Sequence, residues 1–69
     1  MNATTISQKM AEVQDYINLA YIAEDYMEAS PTWYYDRVKN NSFTQEDKEQ
    51  LRSALLDLSQ KLQAVAQSL

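Results

Sequence analysis

The stretch EASPTWYYDRVKNNSFTQEDKEQL, residues 28–51, decides the fold, because it holds two helix starts and one helix stop. Ser30-Pro31 reads as a start. Serine is a favoured N-cap, and proline suits the first helical position, where its missing N–H would have had no partner anyway. Pro31 also disfavours helical geometry at Ser30, so any preceding helix ends by Glu28 or Ala29. Asn40-Asn41 reads as a stop, since asparagine is the best left-handed residue in a chain without glycine. Phe43-Thr44-Gln45-Glu46-Asp47 reads as the second start. Thr44 is the cap, the acids fall in the first turn where the helix dipole favours them, and Thr44 with Asp47 has the spacing of a capping box. The pattern predicts a short helix over 31–39 and a long one over 45–67.

Downstream, Leu51, Leu55, Leu58, Leu62, Val65 and Leu69 recur in heptad steps, with Ala54 and Ala66 widening the seam. Leu56 lies off the seam and should look outward. Upstream, Ile6, Met10, Val13 and Ile17 make one stripe, predicting a helix over 5–17 that Thr4 or Thr5 can cap. Leu19, Ala20, Ile22, Ala23, Tyr26 and Met27 make a second stripe, predicting a helix over 19–28. At about 100° per residue the two stripes point to roughly opposite sides. The chain therefore breaks near Ile17–Asn18, with Asn18 capping the new helix. The expected fold class is all-α, a single domain over 1–69 of three or four helices, the long last one packed on the first. Ile22, Ala23, Tyr26, Tyr34, Val38, Leu51, Leu55 and Leu58 should share one core.

Composition removes much chemistry. The 69 residues contain no Cys, His or Gly. Disulfides, thiolate catalysis, histidine general bases and most zinc sites are excluded, as are phosphate-cradling glycine loops. The expected protein is not an enzyme and carries no cofactor or metal. No apolar run approaches the ~20 residues of a membrane span, and MNATTISQK lacks a signal-peptide core, so a cytoplasmic protein without a membrane partner is expected. Glu24, Asp25 and Glu28 read as a solvated helix face. Net charge is −4, distributed as −4 over residues 1–29, +1 over 30–45 and −1 over 46–69. Only the aromatic stretch is positive.

The run from Leu19 to Leu62 resembles a family of small uncharacterised proteins from gut Bacteroides, a domain of unknown function. The resemblance rests on Ile22-Ala23, Tyr26, Ser30, Trp33-Tyr34-Tyr35-Asp36-Arg37, Asn40, Phe43-Thr44-Gln45-Glu46 and the leucine seam. It implies a fold more than a function. That family and this chain both look like a phage-repressor helix-turn-helix, in which a small residue such as Ala23 lets two helices cross closely. The motif wants Gly or a small residue where Met27 or Glu28 stands.

Two functions follow as expectations. In the first, a DNA-binding or regulatory module, Thr32, Arg37, Lys39 and Asn40 face the duplex, with Lys48 adding a cation; Arg and Asn suit guanine and adenine edges. Asp36 sits amid that surface and opposes phosphate. In the second, a protein-interaction or homo-oligomerisation module, the seam and Trp33 are anchors and a dimer is the expected assembly. Tyr34, Tyr35 and Val38 should face the core, and Trp33 and Arg37, four apart on a flank, can stack.

Overall fold

The computed structural model describes residues 3–69, with side chains described from Thr5 onward. The order is α1 (Ala3–Met10), a 3₁₀ turn (Gln14–Tyr16), α2 (Leu19–Asp25), α3 (Trp33–Asn40) and α4 (Gln45–Ser68). The domain is all-α, with a long C-terminal helix. α3 packs against both α1 and α2.

The break between the first two stripes lies earlier than the sequence pattern suggests. α1 stops at Met10, and residues 11–13 tighten into three-residue bonds, from Glu12 N–H to the Lys9 carbonyl and from Val13 N–H to the Met10 carbonyl. The cause is the conflict of the stripes themselves. Ile6 and Met10 are buried, whereas Val13 is exposed, so a straight helix to residue 17 gains no further core. The chain spends residues 11–18 turning, then restarts where expected. The Asn18 side chain accepts the Tyr21 N–H at 3.0 Å and caps α2. Thr5 lies inside α1 and does not cap it, and the Thr4 side chain lies outside the described residues.

α2 ends at Asp25, and Glu28 takes the left-handed conformation (φ 52°) where glycine would sit without strain. The connection runs from Tyr26 to Thr32, longer than the three or four residues of a compact helix-turn-helix. α3 also starts two residues late. Thr32, not Ser30, holds the N-cap position, without a side-chain bond to a backbone N–H of the helix. The Ser30 hydroxyl lies 3.3 Å from that of Thr32, which donates to Asp36 at 3.0 Å. At the other end Asn41 is left-handed (φ 49°), with its N–H on the Val38 carbonyl and Ser42 N–H on the Arg37 carbonyl. That is the Schellman stop, with asparagine doing what glycine usually does.

The capping box of α4 forms as read: Asp47 N–H donates to the Thr44 hydroxyl and Thr44 N–H to the Asp47 carboxylate, both at 3.0 Å. The core is Ile6, Met10, Leu19, Ile22, Ala23, Trp33, Tyr34, Phe43, Leu51 and Ala54. Tyr26, Val38, Leu55 and Leu58 are only partly buried against it. Tyr35, expected inside, is 55% exposed. It sits one position, about 100°, round the helix from Tyr34, and α3 is too short and too narrowly packed to bury both.

Candidate functional site

Among the described residues, chemistry-bearing side chains gather at several places. The first is the aromatic flank of α3. Trp33 is buried with its ring edge-on to Phe43, centroids 5.7 Å apart, and Tyr34 packs on Phe43 at 5.8 Å. The Arg37 guanidinium lies 5.9 Å from the Trp33 ring centroid, so the expected stack is present. Arg37 also reaches the start of α4, its Nε 3.1 Å from Asp47 Oδ2. That N–H is not aimed at the oxygen and Nε has no hydrogen-bond acceptor, so the contact is an ion pair held by proximity. Asp47 is 7% exposed and carries the capping box on the same carboxylate, so one buried acid ties α3 to the cap of α4.

The predicted contact residues therefore separate. Trp33 and Arg37 come together and turn inward onto Phe43 and Asp47. Thr32 is exposed and bonded to Asp36, and Lys39 and Asn40 are exposed at the end of α3. Lys48 is half-buried and belongs to a different feature, a groove of about 550 Å³ between α1 and α4. Lys9, Lys48 and Arg52 border that groove, and Met10, Leu55 and Leu56 line it. Among the described residues no acidic side chain lines it. Lys9 and Arg52 escaped the sequence reading because only the approach of α1 to α4 brings them together.

The second gathering is a clasp from the end of α2 to the middle of α4. The Tyr26 hydroxyl donates to Asp57, Lys61 Nζ lies 3.2 Å from the same carboxylate, and it donates to the Tyr26 oxygen at 3.4 Å. The Asp57–Lys61 spacing of four was legible; Tyr26, 31 residues away from Asp57, was not. The Tyr26 hydrogen bond, then Lys61, holds the Asp57 carboxyl below its ordinary value of 3.8. The same bond, with burial adding, raises Tyr26 above 10.0, and Asp57 first, then Tyr26, raises Lys61 above 10.5.

These directions set a pH window. Asp57 is shifted down, so its contribution is present above its unfolded value and lost as pH falls through the lower folded one. Tyr26 and Lys61 are shifted up, so theirs is whole below their unfolded values and lost as pH rises through the folded ones. The clasp is complete between about pH 4 and pH 10. Wild type should have a higher urea midpoint than Asp57→Asn at pH 7, and the gap should close in acid, once pH has fallen through the lowered Asp57 value. A gap that persists there would mean the carboxylate charge is not what holds Tyr26 and Lys61.

Along α4 the seam divides. Leu51 and Ala54 are buried and Leu55 and Leu58 half-buried, but every residue from 60 to 69 is exposed, including Leu62 (68%), Val65 (59%) and Leu69 (101%). Leu56 faces outward as expected, at 58%. Among the described residues no helix is long and apolar enough to cross a membrane, and no group of three or more Asp, Glu, His or Cys side chains could hold a metal ion.

A small all-α domain with a capped, overlong last helix is the class of protein that this geometry defines. The chain belongs to the family described as Domain of unknown function (DUF5053), whose model matches residues 6–69. No curated protein and no solved structure matches it. The match covers α4 to its end, so the protruding half of that helix is part of the family's domain.

Proposed function

We propose that this chain is a non-enzymatic homo-oligomerisation module in which the protruding half of α4 pairs with the same segment of a second copy. The exposed seam carries the reading. Residues 60–69 leave the body of the domain while Leu62, Val65 and Leu69 keep the heptad steps of Leu51, Leu55 and Leu58. An isolated helix shorter than about 12–15 residues is marginal in water, and a heptad seam fits a left-handed pair of helices. From Leu62 to Leu69 there is no charged residue. Self-pairing there meets no like-charge repulsion, and nothing in the segment encodes a charged partner. A two-fold, antiparallel pair with Leu62 of one copy across from Leu69 of the other opposes the helix dipoles favourably. It also holds the two acidic bodies at opposite ends.

The DNA-binding reading is less well supported. It draws on Arg37, Lys39 and Lys48, yet Arg37 is held between Trp33 and Asp47. Swinging it to a phosphate leaves Asp47 buried without its cation, a cost the duplex has to offset. Lys39 remains on α3 beside an overall charge of −4.

Sedimentation equilibrium tests the proposal. Wild type should have twice the 8.0 kDa of the chain at micromolar concentration. Leu62→Glu with Val65→Glu should weaken the dimer by about a hundredfold or more, because each copy would desolvate two charges in the seam. Both positions lie outside the core, so the body keeps its helical signal. A wild-type chain that stays monomeric up to about 0.5 mM, a Kd weaker than any useful dimer, would sink the proposal.

A further inference from the structure

We infer that the groove between α1 and α4 binds a long-chain carboxylate, its head group held by Lys48 and Arg52 and its chain laid over Met10, Leu55 and Leu56. The inference goes beyond the oligomerisation reading and uses none of the protruding residues 60–69 that carry it.

Charge is the first support. The chain has six cations and a net charge of −4, yet three of those cations, Lys9, Lys48 and Arg52, border one groove that no acid lines among the described residues. An anion is drawn here and repelled by the acidic face of α2 at Glu24 and Asp25. The second support is the order of side chains along α4. Lys48 and Arg52 lie one turn apart at the upstream end, and Leu55, Leu56 and Ser59 follow downstream. Both cations stand at the upstream end of the α4 wall with Leu51 between them, and Leu55 and Leu56 extend the apolar floor downstream to Ser59. Lys9 on the α1 wall adds a third cation, so a single anionic head group fits the groove, and the apolar residues fit the chain that it carries. The third support is size. At about 550 Å³ the groove falls in the ~300–1,000 Å³ range of small-molecule sites. Leu56, off the seam and 58% exposed, gains a role as a wall of the groove.

Isothermal titration of the full chain with laurate, below its micelle concentration, tests the site. Dodecyltrimethylammonium provides the same chain with the opposite head charge. Laurate should bind one per chain and at least about tenfold more tightly than the cation. Arg52→Glu should weaken laurate about tenfold and bring the two amphiphiles level or invert them, while Leu56→Gln should weaken both. Arg52 and Leu56 are exposed, and far-UV circular dichroism checks that each variant stays folded. Leu62→Glu with Val65→Glu should leave laurate binding unchanged, which separates this inference from the dimer. No laurate binding, equal binding of the two head groups, or an unaltered affinity in Arg52→Glu overturns the assignment.

Discussion

Trp33→Ala should remove most of the domain's stability, about 3–5 kcal/mol, the usual cost of emptying a buried tryptophan site. A domain of this length has only about 3–10 kcal/mol in total. The indole is 8% exposed, meets Phe43 edge-on and supports the Arg37 guanidinium, so truncation opens a cavity and frees the cation paired with Asp47. Urea denaturation followed by circular dichroism reads the loss, since the variant has no tryptophan left to fluoresce. Tyr35→Ala is the control. That ring is two positions along the same helix and 55% exposed, so its removal should change stability by no more than about 0.5 kcal/mol. Equal losses at the two positions would mean that α3 is turned differently about its axis.

Asp47→Ala should cost about 2–4 kcal/mol, far more than an ordinary cap residue. One carboxylate accepts the Thr44 N–H that opens α4 and lies 3.1 Å from Arg37 Nε. Its loss leaves both without their partner. The Arg37 side chain is 38% exposed, so water recovers part of the ion-pair term, and the figure stays below that of a fully buried pair. Thr44→Ala removes only the other half of the box and should cost about 1 kcal/mol. Asp47→Asn retains an acceptor for the Thr44 N–H and should fall between the two. If Asp47→Ala costs no more than Thr44→Ala, the tie between α3 and α4 contributes nothing.

Local rules were legible because they act over three or four residues. Asn18 as a cap, Asn41 as a left-handed stop and Thr44 with Asp47 as a box each satisfy backbone groups within one turn, and each is present. The stripes announced the core through Ile22, Ala23, Leu51 and Ala54. α3 starts later than Ser30-Pro31 predicts: the local rule is satisfied equally well two residues earlier, yet the helix begins at Trp33, the residue that packs on Phe43. The same holds for Tyr34 and Tyr35. Periodicity allows both on the inner side, and only the position of Phe43 selects Tyr34.

The sequence by itself determined the all-α class, the caps at Asn18 and Thr44, the stop at Asn41, the seam of α4 and the absence of Cys, His and Gly. Those properties belong to single residues or to neighbours within a turn. The tertiary structure alone decided that Arg37 turns inward to Asp47, that Tyr26 clasps Asp57 and Lys61, and that Lys9 joins Lys48 and Arg52 around one groove. It also decided where the seam of α4 leaves the body. Each of these depends on residues ten or more positions apart, or on how much of a helix the rest of a small domain can cover, and no local spacing encodes that distance.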